Sequence, residues 1–108
     1  MTPGEAEREL ARLRGAIDDL DSVLVKLLNQ RARYALLVGE AKGAMGVPVY
    51  DPAREKAVLE RVRVSNLGPL RAEQLERLFE RIIDEARRLE REASPRAAKT
   101  TRSSEPGT

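Results

Sequence analysis

The stretch Glu5–Lys42, EAERELARLRGAIDDLDSVLVKLLNQRARYALLVGEAK, decides the fold. It contains no proline and, before its C-terminal end, a single glycine, Gly15. Leu10, Leu13, Ile17, Leu20, Leu24, Leu27, Leu28, Tyr34 and Val38 recur every three or four positions. That spacing stacks side chains on one face of an α-helix. Arg14, Arg31 and Lys42 fall in or beside this apolar stripe, where a purely structural helix carries more Leu or Ala. A helix turns about 100° and rises about 1.5 Å per residue, so Arg31 and Lys42 lie within about 20° of one another and about 16 Å apart. Their long side chains can converge on a small anion. Arg14 sits about 100° away around the helix and is expected to serve a different site. The plain alternative is that all three snorkel, with stems packed and charges in water.

Working outward, Thr2-Pro3-Gly4-Glu5 has the form of a capping box, and the glycines of Lys42-Gly43-Ala44-Met45-Gly46 suit a left-handed C-terminal cap. A helix of about 40 residues is about 60 Å long, against a radius of gyration of about 13 Å for a compact chain of this size. The rod is therefore expected to need a partner, most economically a second copy related by two-fold symmetry. Val47-Pro48-Val49-Tyr50 reads as an extended connector, and Asp51-Pro52 as the acid cap and first-turn proline of a second helix, Pro52 to Val64. This helix carries Ala57, Val58, Arg61 and Val62 on a mixed face. After the loop Ser65–Pro69, a third helix is expected from Arg71 to Glu92, with Leu75, Leu78, Phe79, Ile82, Ile83, Ala86 and Leu89 at helical spacing and no evident N-cap. The chain thus divides into an all-α helical domain, 1–92, and a tail, 93–108, of Ser, Thr, Pro, Ala and Lys that is expected to be disordered.

Composition narrows the chemistry. The 108 residues include no cysteine and no histidine, so disulfides, thiol nucleophiles, thiolate metal sites and the commonest general base are excluded. Much hydrolytic and metal chemistry is thereby disfavoured, and no metal site is expected. The net charge of +2 comes from the tail, where Arg96, Lys99 and Arg102 outnumber Glu105. The body is neutral, with acids interleaved among its cations and few aromatics, which argues against nucleic-acid binding. No apolar run suits a bilayer and no signal-peptide pattern opens the chain, so no membrane partner is expected and a cytoplasmic location is.

Two further features join the cations. Arg54 and Glu55 lie in the first turn of the second helix beside Asp51, where free amides favour an anion. The row Phe79, Ile83, Ala86, Glu90 places an acid on the apolar stripe of the third helix. Burial there raises a carboxyl pKa and holds Glu90 protonated as a hydrogen-bond donor, whereas a nearby Lys42 opposes this. An ordinary solvated first turn, and fraying that leaves Glu90 in water, are the plain alternatives.

With these residues in view, the chain resembles the all-helical chorismate mutases over roughly Leu10 to Glu92. The resemblance rests on Leu13-Arg14, Ile17-Asp18-Asp19-Leu20-Asp21, Leu28 to Arg31, Val38-Gly39-Glu40-Ala41-Lys42 and Val49-Tyr50-Asp51-Pro52-Ala53-Arg54-Glu55. Leu78-Phe79 and Ile82-Ile83 extend it into the third helix. It implies an intertwined homodimer of three-helix chains in which Arg14 is donated across the interface, giving its angular offset a reason. It further implies that Arg31 and the partner's Arg14 bind the two substrate carboxylates and that Arg54 supports the carboxylate region. Lys42 would donate to the ether oxygen of the breaking bond, and Asp51 and Glu55 would hold the ring hydroxyl. Glu90 falls where some members have glutamine and others glutamate, the second donor to the ether oxygen. Ala86 stands where some have serine, so a hydrogen bond from that position is lost.

Conversion of chorismate to prephenate is a unimolecular rearrangement that needs no nucleophile, metal or cofactor. It requires a compact reactive conformer and positive charge where the ether oxygen becomes more negative. An isochorismate pyruvate lyase of the same fold is the nearest alternative, disfavoured by Glu55, which suits the chorismate hydroxyl. A helical regulatory or dimerisation module that binds pathway ligands without turnover is the alternative from another class. Association with another enzyme of the same pathway is left open by the sequence.

Overall fold

The computed structural model describes residues 1–93 as three helices, α1 Pro3–Met45, α2 Pro52–Ser65 and α3 Ala72–Ala93. The fold is all-α with a very long first helix, as the periodicity predicts. The composition starts the tail at Ala93, but Ala93 is the last residue of α3; the remainder, 94–108, lies outside the described residues.

Local chemistry accounts for the helix ends. At the start of α1, Thr2 Oγ1 accepts the Glu5 N–H at 3.1 Å, and Glu5 Oε2 accepts the Thr2 N–H at 3.4 Å, a reciprocal capping box. At its end, Gly46 adopts φ 71°, its N–H donating to Gly43 O at 3.1 Å while the Val47 N–H donates to Lys42 O at 3.0 Å. This is a Schellman closure, and it turns the chain straight into the connector. Asp51 Oδ1 caps α2 by accepting the Arg54 N–H at 3.1 Å, with Pro52 in the first turn. The cap of α3, which the sequence does not reveal, is half a capping box. The Arg71 N–H donates to Gln74 Oε1 at 2.9 Å, and Arg71 O accepts the Leu75 N–H at 3.1 Å.

By their contacts, the residues separate into a unit Met1–Arg31 and a second unit from Ala32 onward. In the second unit α2 and α3 pack on one another. Ile83 is its buried apolar residue, with Val58, Leu59, Val62, Leu75, Phe79, Ile82 and Ala86 half-buried. The inward face of α2 is therefore Val58, Leu59 and Val62; Ala57 and Arg61, expected on it, are exposed. Arg63 Nε pairs with Glu76 Oε1 at 2.8 Å, tying the end of α2 to the start of α3. The first unit is a single helical stretch whose leucines are open to solvent, Leu24 being 54% and Leu27 55% exposed. No helix among the described residues is long and apolar enough to cross a membrane.

Candidate active site

The unit from Ala32 gathers six of the eight singled-out residues, Lys42, Asp51, Arg54, Glu55, Ala86 and Glu90. Lys42 lies in the last turn of α1, where the helix carbonyls favour a cation. Its side chain is only 18% exposed, so it does not snorkel into bulk water. The ammonium folds back on the connector, donating to Val49 O at 2.8 Å and lying 3.9 Å from Asp51 Oδ2. One of its three protons is thus spent holding the ammonium in place. Asp51 serves two elements, Oδ1 capping α2 and Oδ2 facing Lys42.

Glu90 is inside α3, three residues before its end, and half-buried, so fraying does not describe it. It packs on Gly39, the buried glycine of α1: a Cβ at Gly39 would stand 3.4 Å from Glu90 Cγ and 3.5 Å from Glu90 Cβ. Gly39 precedes Lys42 by three residues, nearly one turn, so both fall on the same side of α1 and Glu90 approaches the side that carries the lysine. Ala86, half-buried, precedes Glu90 by four residues on the same row.

Glu55 Oε1 accepts from Arg87 Nη1 at 2.8 Å, and Arg87 Nη2 donates to Asp84 Oδ1 at 2.7 Å. The Arg87 guanidinium also lies over the Tyr50 ring, 5.1 Å from its centroid. Sequence reasoning misses Arg87, although the signal is present. It follows buried Ile83 by four residues and so occupies the apolar stripe, as Lys42 does on α1. Arg54 is exposed in the first turn of α2. Arg14 and Arg31 belong to the first unit, Arg14 exposed and Arg31 half-buried. Among the described residues, none of these three side chains enters an ion pair.

Within the unit from Ala32, Lys42 lies beside Asp51 and Arg87 beside Glu55, so cationic donors stand next to hydrogen-bonded carboxylates, a set suited to an oxygen-rich anion. Comparison with known proteins agrees with it. The family described as Chorismate mutase type II matches residues 13–91, and the chain belongs to that family. A bifunctional chorismate mutase/prephenate dehydratase of Neisseria gonorrhoeae is 45% identical over 78 residues, covering 72% of this chain and 21% of that protein. A chorismate mutase of Methanocaldococcus jannaschii is 40% identical over 55 residues, covering 51% of this chain and 56% of that one. The chain therefore spans about a fifth of the first relative and just over half of the second. Among solved structures, a chorismate mutase from Thermus thermophilus superposes with TM-score 0.75 at 30% identity, covering 76% of this chain and 93% of that one. Chorismate mutase from Helicobacter pylori in complex with prephenate does so with TM-score 0.74 at 30% identity, covering 80% and 93%.

Proposed function

We propose that this chain catalyses the rearrangement of chorismate to prephenate in the cytoplasm, as a homodimer. The observation that carries the reading is the held ammonium of Lys42, on the side of α1 that Glu90 approaches. The prephenate complex of the similar Helicobacter pylori enzyme supports the choice of ligand.

In this reading Arg31 and the partner's Arg14 bind the substrate carboxylates and draw the flexible side chain over the ring. Arg54 adds positive charge to the same region. Asp51 and Glu55 accept from the ring hydroxyl. As the C–O bond lengthens and the new C–C bond forms, negative charge grows on the ether oxygen. Lys42 donates to it with a proton not used by Val49, and Glu90 donates from its carboxyl. Both donors are in place before the charge develops, so they stabilise the transition state more than the substrate. Glu90 can donate only while protonated. Dimerisation is supported by the exposed leucines of α1, which a second copy would cover while bringing Arg14 to the site. The bifunctional relatives, which join a chorismate mutase to a prephenate dehydratase, support a working association with an enzyme that consumes prephenate.

The test is to supply purified protein with chorismate and to identify the product. Prephenate is expected; pyruvate release, or chorismate binding without turnover, would overturn the assignment.

A further inference from the structure

Arg87 has no part in the roles above, yet its side chain is held on three sides. Asp84 binds Nη2 from one helical turn away, Tyr50 lies against the guanidinium from the connector, and Nη1 reaches across to Glu55 on α2. Arg87 and Glu55 side chains are only 23% and 26% exposed, so solvent screens their bond less than it screens a surface pair. A guanidinium is a planar fork, and here Asp84 and Tyr50 fix its orientation independently of Glu55. Glu55 is thereby presented with a donor whose position is already set, and its carboxylate is confined to one orientation. Oε1 is turned toward Arg87, leaving Oε2 to accept from elsewhere.

We infer that Arg87 is a positioning residue that aims the Glu55 carboxylate at the substrate's ring hydroxyl, with Asp84 and Tyr50 aiming Arg87 in turn. This rests on the proposed role of Glu55. The arrangement differs from the Arg63–Glu76 pair, which also joins α2 to α3 but touches no residue assigned to the site.

The experiment compares Arg87→Leu, Arg87→Lys and Arg63→Leu in the otherwise native chain, and Arg87→Leu again in a Glu55→Gln background. Steady-state kinetics with chorismate are joined by a crystal structure of the Arg87→Leu protein. Arg87→Leu is expected to raise KM about tenfold with a smaller change in kcat, as for one misaligned charge-assisted hydrogen bond. Arg87→Lys, which restores a point charge without the fork, is expected to recover part of that loss. Arg63→Leu is expected to leave KM unchanged. In the Glu55→Gln background the further effect of Arg87→Leu is expected to be less than about twofold, because both substitutions remove one interaction. The crystal structure should show the Glu55 carboxylate turned away from its native position.

The full cost persisting in the Glu55→Gln background would mean that Arg87 touches substrate itself, and would overturn the inference. So would an unchanged KM, or Glu55 found in its native position without Arg87. If the native protein makes no prephenate, the functional proposal fails, while the crystal structure still decides whether Arg87 orients Glu55. Should Arg87→Leu fail to fold, Arg87→Lys carries the kinetic comparison and the structure determination.

Discussion

The units Met1–Arg31 and Ala32 onward are built from similar sequence material and end in different states. Both carry Leu, Val and Ile at helical spacing, and both are helical. In the first, Leu10, Leu13, Ile17, Leu20, Leu24, Leu27 and Leu28 all remain exposed. In the second, α2 and α3 supply each other with a surface, Ile83 is only 9% exposed, and Gly39 is covered by Glu90. Periodicity therefore specifies a helix and which of its faces is apolar, but not what covers that face. The charged residues divide in the same way. Lys42 and Glu55 are oriented by partners within their own unit, whereas Arg14 and Arg31 enter no ion pair among the described residues.

If the first unit is completed by a second copy, its arginines should show it most strongly. Arg14→Ala and Arg31→Ala are each expected to be inactive alone. Mixing them after subunit exchange is expected to restore one working site per mixed dimer, since that site combines Arg31 of one chain with Arg14 of the other. No recovery, with exchange verified by mass spectrometry, would remove Arg14 from the shared-site scheme. Lys42→Ala should follow, lowering kcat about a hundredfold or more, the usual loss for one preorganised donor. A rate within a few-fold of native would return Lys42 to a purely structural role as the anchor of Val49.

Stability separates the two units by a different route. Ile83→Ala is expected to cost about 3 kcal/mol at any protein concentration, as a cavity in an intramolecular core. Leu24→Glu is expected to act through assembly, so its thermal midpoint should fall steeply on dilution. Equal concentration dependence of the two variants would erase the distinction. The smallest effect is expected at Glu9, whose carboxyl the Arg12 guanidinium holds below the usual carboxylate range. A carboxyl depressed in the folded state contributes stability above its unfolded pKa, and that contribution is lost as pH falls through the folded one. The pair lies at the surface, its Arg12 and Glu9 side chains 64% and 40% exposed, so Arg12→Ala should leave the thermal midpoint unchanged within error across the acid range.

Much of this architecture is legible in the residues themselves. Thr2-Pro3-Gly4-Glu5 and Asp51-Pro52 carry their helix starts in their side-chain chemistry, and both caps form as read. The start of α3 is obscure because its cap is Arg71, whose own side chain supplies no acceptor; the acceptor is Gln74, three residues on. Ala57 and Arg61 are misplaced by the pattern because the short α2 shows little contrast between its faces, leaving packing against α3 to choose Leu59 instead. Lys42 stands out as a cation in a stripe, but its bond to Val49 O depends on the Schellman turn that folds the connector back. Arg87 meets the same criterion without standing out. Its importance lies in Glu55, distant in sequence and placed beside it only when α2 packs on α3.

The central claim is that this chain rearranges chorismate with Lys42 and a protonated Glu90 as its two donors to the ether oxygen. It is tested most directly by the rate of prephenate formation from about pH 4 to about pH 9 for the native protein and for Glu90→Gln. The native rate should decline as pH rises and Glu90 loses its proton, while glutamine, which donates at every pH, should flatten the profile. Absence of prephenate, or a native profile already as flat as that of the glutamine variant, would contradict it.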